Sequence, residues 1–317
     1  MYATQLRNEL SLRNRLHARG RVHVESYGGS PVIVYAPDGE THGNFFDPAY
    51  AAILAQAEWH ARLNKIHAQA RSLPKAERKW RELDSSMSSD ALLMNVFCTP
   101  GMVEAGTVRS LLGIRGEDRP VFGWKARVPF ASGRFDRTEV DMRWGSLLVE
   151  AKLTEGDFQT CKPELVEAYR DLDEVFERDA LPRVPLAIGR RKQSVEFPEE
   201  YSQEEIIVPA EEWQPHVWEV SPETIEGYAS YQLVRNVLAA YAAGASFCVI
   251  HDERRPDLRE AWFQVMTAVK SAEMRTRLQV LTWQELSATA PTGLQEFLAT
   301  KYGIVPPGCA PCPIDPR

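Results

Sequence analysis

Hydrophobic and polar positions along the chain predict a succession of helices and strands. Apolar residues at helical spacing indicate helices at 2–19, 47–71, 75–83, 90–97, 103–112, 163–176, 231–243 and 256–270, with a last one beginning at 283. Short apolar or alternating runs indicate strands at 21–25, 32–35, 120–130, 245–250 and 278–282. Helices that alternate with strands in this order predict an α/β fold whose sheet has mixed strand directions.

The most informative stretch is 138–155, in which two short apolar runs flank Gly145-Ser146. A glycine at the centre favours a tight turn, so the two runs are predicted to form a β-hairpin. The second run is rich in Leu, Val and Ala, which suits a buried strand. Antiparallel pairing across this turn places Asp141 opposite Glu150, with their Cβ atoms roughly 5 Å apart.

Two charged residues, Glu150 and Lys152, interrupt the second apolar run. Because they are two positions apart, their side chains leave a strand on the same face. Burying such charges costs much free energy unless they are paired or bind a metal. Two interpretations remain open. Glu150 and Lys152 form a structural ion pair with Asp141 at the sheet edge, or all three side chains converge on one site.

The spacing of these residues is similar to a known motif. Asp141, followed by Glu150-Ala151-Lys152 at the end of a hydrophobic strand, resembles the signature of the PD-(D/E)XK nuclease superfamily. Val140 stands where that signature has proline, a position that varies within the superfamily.

Two further segments, 88–97 and 231–236, resemble a bacterial group of restriction-endonuclease-like proteins. The resemblance implies a restriction-endonuclease-like core, in which helices flank a mixed central β-sheet, here with an N-terminal helical and hairpin extension. It divides the chain into an N-terminal extension packed on the core, the nuclease core with an acidic insertion, and a C-terminal tail. We expect these parts at 1–85, at 86–290 with the insertion at about 182–228, and at 291–317.

The resemblance also implies a role for each residue of the motif. Asp141 and Glu150 would ligate a divalent cation together with the main-chain carbonyl of Ala151. Mg²⁺ is the first expectation and Mn²⁺ the alternative. Lys152 would orient the attacking water or offset the negative charge that develops on the phosphate. Gln232 resembles the glutamine that supports the site from the helix after the hairpin, with a surface amide as the alternative.

Three other residues are weaker candidates. Glu58 lies beside the apolar stripe of the predicted helix 47–71, and the superfamily often has an acidic residue near the metal on its first core helix. Arg235 and Asn236 follow Gln232 by one helical turn and are candidates for contact with a phosphate. A solvated surface position is the alternative for all three.

Composition narrows the class of protein. The chain of 317 residues is 44% hydrophobic and 26% charged, as in an ordinary globular protein. Its apolar runs fall short of the ~20 residues that cross a bilayer, and its charged start lacks an apolar signal core. Together with an odd count of five cysteines, this favours a reduced cytoplasmic location away from membranes. Cys309 and Cys312 form a single C-x-x-C, which favours two tail thiols over a zinc site.

The net charge of −7 is unevenly distributed. Segment 195–226 holds ten glutamates and no Lys or Arg, so the remainder of the chain carries net positive charge. Basic clusters near the N-terminus and at 62–81 are therefore candidates for phosphate contact, with a solvated helix face as the alternative.

These observations favour a Mg²⁺-dependent nuclease that cuts DNA as an endonuclease. The chain has neither a P-loop nor a G-x-S-x-G motif, which disfavours an NTP-driven motor and a serine hydrolase. One alternative is a nucleic-acid-binding or regulatory protein on the same fold with little turnover. Another is an unrelated α/β protein in which Glu150 and Lys152 are a structural pair. A homodimer is an expectation from restriction-type enzymes that the sequence leaves open.

Overall fold

The computed structural model describes residues 1–26, 32–66, 81–187 and 224–309. Its strands are β1 (His23–Glu25), β2 (Ile33–Tyr35), β3 (Pro37–Asp38), β4 (Thr41–His42), β5 (Val121–Pro129), β6 (Phe135–Trp144), β7 (Leu147–Ala151), β8 (Arg183–Ala187), β9 (Thr224–Tyr228), β10 (Ser246–His251) and β11 (Leu278–Thr282). Its α-helices are α1 (Tyr2–His17), α2 (Asp47–Ala55), α3 (Ala57–Arg62), α4 (Ser89–Phe97), α5 (Gly106–Leu111), α6 (Pro163–Val166), α7 (Leu172–Val175), α8 (Tyr231–Ala242), α9 (Pro256–Ala268), α10 (Ala272–Arg275), α11 (Trp283–Ser287) and α12 (Thr292–Tyr302).

A five-stranded sheet in the order β11-β10-β7-β6-β5 forms the centre of the molecule. Strands β5, β6 and β7 are antiparallel neighbours, whereas β10 pairs in parallel with both β7 and β11. Parallel neighbours need crossover connections, and the helices α8 and α9 lie in these connections. The predicted α/β architecture, a mixed central sheet flanked by helices, is thereby confirmed.

Helices cover both faces of the sheet. On one face, Val237 of α8 and Trp262 of α9 are fully buried in one apolar cluster. On the other face, Phe97 of α4 and Leu298 of α12 are buried in a second cluster. Every residue of β7 is consequently buried, which explains its continuous apolar run.

The predicted hairpin at the centre of the sheet is confirmed. β6 and β7 are joined by Gly145-Ser146, and Met142 pairs with Val149 in the antiparallel register. Gly145 has a φ of +58°, a left-handed conformation that a glycine adopts without strain and that the tight turn requires.

Two long predicted helices were wrong because tertiary contacts interrupt them. In place of one helix at 47–71, the structure has α2 and α3, which are separated at Gln56, whose backbone is extended; residues 67–71 lie outside the described residues. This break lets Trp59 donate a hydrogen bond from Nε1 to the carbonyl of Pro120 at 2.9 Å. The prediction for 163–176 is met by α6 and α7, because Tyr169 between them bridges to Phe130 instead of continuing the helix.

The ends of the predicted insertion and tail are also more ordered than expected. The irregular insertion at 182–228 begins with β8 and ends with β9, which pair with each other, and its interior lies outside the described residues. The tail at 291–317 begins with α12, whose Leu294 and Leu298 are buried in the core. Much of the helix predicted at 75–83 lies outside the described residues, as does Cys312, whereas Cys309 is an exposed free thiol.

The N-terminal part of the chain contacts the same core. The strands of the hairpin predicted around Gly28-Gly29 are present as the antiparallel pair β1–β2, and the two glycines lie outside the described residues. Leu6 and Leu10 of α1 are buried in the apolar cluster that contains Leu298. Among the described residues, none of the helices is long and apolar enough to cross a membrane.

Candidate active site

The carboxylates of the motif lie where β6 separates from β7. The register of the hairpin leads from the pair Met142–Val149 directly to Asp141 and Glu150. There the main-chain N–H of Ala151 donates to Oδ2 of Asp141 at 2.8 Å, so a side chain takes the place of the main-chain acceptor. Glu150 is 1% exposed, whereas Asp141 is partly exposed. The fork therefore holds two enclosed carboxylates side by side, although part of Asp141 as a residue is accessible.

Lys152 joins this pair from the end of β7. Its Nζ donates to Oε1 of Glu150 at 2.8 Å and to Oε1 of Gln232 at 2.8 Å. Gln232 completes the triangle, because its Nε2 donates to the same oxygen of Glu150. The structure thus brings together Asp141, Glu150, Lys152 and Gln232.

Helix α8 supplies two groups to this cluster, because Gln232 and Asn236 are four residues apart and share one helix face. Nδ2 of Asn236 donates to Oε2 of Glu150 at 2.9 Å. Oγ1 of Thr138 donates to Oδ1 of Asn236 at 3.5 Å. Asn236 is fully buried, so the predicted contact with a phosphate is replaced by a contact inside the protein. Its spacing from Gln232 is the sequence signal that indicates this position.

Arg235 of α8 contacts Asp136 and Tyr231. Its Nη1 is 3.9 Å from Oδ2 of Asp136, and its guanidinium lies 5.0 Å from the ring centroid of Tyr231. The side chain is partly exposed, and the described contacts of its guanidinium are with Asp136 and Tyr231.

The acidic residue that approaches the site from a helix is Asp90. Glu58 is exposed on α3, next to the buried Trp59, whereas Asp90 on α4 is 6% exposed. The charge of Asp90 contributes to raising the pKa of Asp141. Sequence reasoning missed Asp90, since an acidic residue in the first turn of a helix is usually explained by the helix dipole.

Two basic side chains hold Asp90 in place. Arg62 donates from Nη2 to Oδ2 of Asp90 at 2.9 Å, and Nζ of Lys65 donates to the same oxygen at 2.7 Å. Both bases also contact Glu139, at 2.9 Å and 3.3 Å. A second charged cluster therefore adjoins Asp141 on β6.

The surroundings of the site raise the pKa values of both Asp141 and Lys152. Burial, followed by the charges of Glu150 and Asp90, raises the pKa of Asp141 well above its ordinary value. Burial lowers the pKa of Lys152, but the carboxylates, Glu150 foremost, outweigh this effect and raise it above its ordinary value. Lys152 is therefore a stable cation, and Asp141 is an acid that gains from a positive charge placed beside it.

This donor set fits a hard divalent cation. Within the described parts of the chain, no group of three or more His, Cys, Asp and Glu side chains could hold a metal ion. Mg²⁺ needs only one or two protein carboxylates, because it keeps several water ligands. Asp141 and Glu150 supply two carboxylates whose mutual repulsion a cation relieves. The site thus suits Mg²⁺ or Mn²⁺ better than a closed zinc centre.

Two buried donors fix the main chain that follows the motif. Arg255, fully buried at the start of α9, donates to the carbonyls of Glu155 at 2.7 Å and of Gly156 at 3.0 Å. Nε1 of Trp283 donates to the carbonyl of Lys152 at 2.9 Å. Sequence reasoning missed both, since each acts on backbone carbonyls and no motif marks such contacts.

A family model described as "Restriction Endonuclease associating with ARP" matches residues 13–303. This range contains the whole central sheet and every candidate residue of the site. No curated protein and no solved structure matches the chain significantly.

Proposed function

The chain belongs to the family described as Restriction Endonuclease associating with ARP, and from this premise we propose that it is a metal-dependent nuclease. The family description points to nuclease activity and to a nucleic-acid substrate. The finer proposal is that the protein hydrolyses phosphodiester bonds of DNA as an endonuclease, with Mg²⁺ or Mn²⁺ as cofactor. The order α4, β5–β7, α8, β10 supports a restriction-endonuclease-like core.

The convergence of Asp141, Glu150 and Lys152 is the observation that supports this proposal. A structural ion pair needs only Glu150 and Lys152, which lie 2.8 Å apart. Asp141 adds a second carboxylate whose pKa rises in this environment, which destabilises the ionised folded protein. Such a cost is typical of a site that is built for a ligand.

Each side chain has a chemical task in hydrolysis. Asp141 and Glu150 would hold the divalent cation, which would supply an activated water and stabilisation of charge on the phosphate. The ammonium of Lys152, fixed by Glu150 and Gln232, would place a positive charge beside the attacked phosphate. Asn236 holds the second oxygen of Glu150, so the carboxylate keeps one orientation through the reaction.

Cleavage of plasmid and linear duplex DNA, with and without Mg²⁺ or Mn²⁺, tests the proposal. We expect metal-dependent cleavage that Asp141→Asn and Lys152→Ala each reduce by about 10²-fold or more, because a preorganised charge contributes on that scale. Lys270→Ala, a change at an exposed lysine far along the chain, is the matched control and leaves the rate unchanged. Wild-type cleavage rates in both motif variants would contradict the proposal.

A second candidate function is a nucleic-acid-binding or regulatory protein with little turnover. The observation that favours it is the engagement of Glu150, which accepts hydrogen bonds from Lys152, Gln232 and Asn236. A cation must compete with these donors for the carboxylate. Binding of DNA without cleavage in both Mg²⁺ and Mn²⁺ would favour this function.

A further inference from the structure

A row of basic side chains leads away from the candidate site along the β5–β6 hairpin. In its antiparallel register, Lys125 is paired with Glu139 and Arg127 with Arg137. The last pair before the turn joins Pro129 with Phe135. Directly opposite residues project from the same face of the strand pair. We call the side chains of Lys125, Arg127, Phe135 and Arg137 the basic face of the hairpin.

The pair Arg127–Arg137 has a cost that the fold does not offset. Both side chains are exposed, and like charges directly opposite each other destabilise a strand pair. In the part of the chain that the structure describes, neither arginine forms a salt bridge with an acidic residue. A polyanion laid across the pair would remove the repulsion.

Asp136 and Glu139, the acidic residues that lie nearest to these two arginines on β6, have other partners. Asp136 alternates with Arg137 and so projects from the opposite face, where it accepts a hydrogen bond from Tyr169 at 2.6 Å. Glu139 lies beside Arg62 at 2.9 Å and Lys65 at 3.3 Å. Glu139 also pairs with Lys125 at 3.4 Å, so the charges of the basic face that lack an acidic partner among the described residues are those of Arg127 and Arg137.

Aromatic contacts hold this face in place. The guanidinium of Arg127 lies 5.0 Å from the ring centroid of Phe135, which is 50% exposed. At the base of the turn, Phe130 stacks on Tyr169 with centroids 5.0 Å apart. Arginines interleaved with an exposed aromatic ring on a fixed support are typical of surfaces that bind nucleic acid.

We propose that the basic face of the hairpin binds the sugar-phosphate backbone of duplex DNA and guides it toward Asp141. Arg137 precedes Asp141 by four residues on β6, which corresponds to about 13 Å along a strand. That length spans roughly four nucleotide steps of a duplex. The choice of DNA as the ligand rests on the proposed function, whereas the binding surface rests on the register, exposure and charge of the hairpin.

The test is binding of a fluorescein-labelled duplex DNA by the full chain in EDTA, measured by anisotropy over a series of salt concentrations. In Arg127→Gln/Arg137→Gln we expect the affinity at low salt to fall roughly tenfold or more. The slope of log K against log [salt] should become shallower by about 2, one for each lost phosphate contact. The thermal midpoint should stay the same or rise, because the like-charge pair is gone.

Arg259→Gln/Arg275→Gln is the matched control. It removes two exposed arginines, and Arg259 lies 5.7 Å from the ring centroid of the exposed Phe263. Neither arginine faces another arginine across a strand pair. We expect the affinity and the salt slope of this control to equal those of the wild type. Single-stranded DNA and duplex RNA of the same length form the comparison arms, and we expect both to bind more weakly than duplex DNA.

Wild-type affinity and salt slope in the Arg127/Arg137 variant would overturn the inference, as would a wild-type chain that binds no duplex DNA. Equal losses in the variant and its control would overturn it as well, because they would show a nonspecific charge effect. Cleavage is scored separately, in Mg²⁺. A wild type that binds DNA through this face but never cleaves it refutes the proposed nuclease and leaves the binding surface standing.

Discussion

Glu150 owes its fixed position to donors from two elements. Lys152 follows it on the same chain segment, and Gln232 and Asn236 reach it from α8. A fully buried carboxylate costs free energy unless it is paired and hydrogen-bonded, so these donors are a condition for its presence in the core. The same donors leave the carboxylate only one orientation toward Asp141. Stability and preorganisation of the site therefore depend on the same contacts.

The contact between Asn236 and Glu150 can be tested by truncation. Asn236→Ala removes a 2.9 Å hydrogen bond and leaves an oxygen of Glu150 unsatisfied in the core. We expect a loss of about 1–3 kcal/mol in the free energy of unfolding, measured by urea denaturation. Asn8→Ala, at an exposed position of α1, should change it by less than about 0.5 kcal/mol. A loss as small as that of the control would show that the buried amide does not hold Glu150.

Asp141 predicts a dependence of stability on pH. Because its pKa is raised in the folded protein, Asp141 holds a proton at pH values at which the unfolded chain has already released it. The folded state therefore loses stability as the pH rises above the ordinary aspartate pKa of about 3.9. Asp141→Asn cannot ionise and keeps an acceptor for the N–H of Ala151. In EDTA, we expect this variant to be more stable than the wild type at pH 7.

The difference between the two proteins should shrink as the pH falls toward 4, where the carboxyl of the wild type is protonated. Thermal melting across this pH range is the measurement. Asp179→Asn, which changes an exposed carboxylate, serves as the comparison and should have the same thermal midpoint as the wild type at every pH. A variant that is less stable than the wild type at pH 7 in EDTA would contradict the raised pKa of Asp141.

At the scale of elements, the end of β7 depends on a helix that is distant in sequence. Arg255 at the start of α9 donates to the carbonyls of Leu153 at 3.3 Å, Glu155 at 2.7 Å and Gly156 at 3.0 Å. These carbonyls belong to the segment that directly follows Lys152. By binding these carbonyls, the guanidinium holds the segment after Lys152 in place and so limits the movement of the lysine.

Replacement by lysine tests this arrangement, since Arg255→Lys keeps the charge but cannot reach three carbonyls in a fork. We expect the free energy of unfolding to fall by about 3 kcal/mol, because buried carbonyls are left without donors. Cleavage should fall as well, with the loss in kcat rather than in KM. Arg170→Lys, at an exposed arginine paired with Asp171, is the control and should be nearly neutral. Unchanged stability of Arg255→Lys would show that these hydrogen bonds do not hold the segment after Lys152.

The same scale shows which elements the sequence can predict. Helix α8 was predicted at 231–243 and spans Tyr231–Ala242, because its apolar stripe matches one buried face. The helix predicted at 163–176 failed where Tyr169 stacks on Phe130, a contact between segments far apart in sequence. Local spacing carries no information about such contacts, and tertiary packing overrides helix propensity there.

The residues of the site likewise divide into those that the sequence predicts and those that only the fold reveals. The fork that places Asp141 beside Glu150 follows from the position of one turn, so the sequence predicts it. Asp90 and Arg255 reach the site from α4 and α9, and their approach depends on how those helices pack. Only the three-dimensional arrangement shows that Asp90, in the first turn of α4, and the buried Arg255 lie near the end of β7.

At the scale of the whole molecule, the basic face of the hairpin and the candidate metal site lie next to each other on β6. The chain carries a net charge of −7, yet the basic face of the hairpin adjoins the carboxylates of the site along β6. A polyanion held by that face reaches Asp141 and Glu150 only if a cation screens them. The proposed binding surface and the proposed metal site therefore share neighbouring residues of one strand.

Metal binding should consequently be visible as stability of the entire fold. A cation that binds only the folded protein stabilises it by mass action, by about 2.7 kcal/mol at a concentration 100 times its Kd. We expect Mg²⁺ to raise the thermal midpoint of the wild type by several degrees and to leave Asp141→Asn/Glu150→Gln unchanged. Asp179→Asn/Glu260→Gln, which neutralises two exposed carboxylates, should respond as the wild type does.

Since Asp141→Asn alone is expected to exceed the wild type in EDTA, saturating Mg²⁺ should narrow or reverse the order of the two midpoints. Such a change in order separates a cation site from a structural ion pair, because an ion pair between Glu150 and Lys152 responds to Mg²⁺ only through general screening. Equal shifts in the wild type and in Asp141→Asn/Glu150→Gln would place the cation elsewhere and remove the metal from the proposed mechanism.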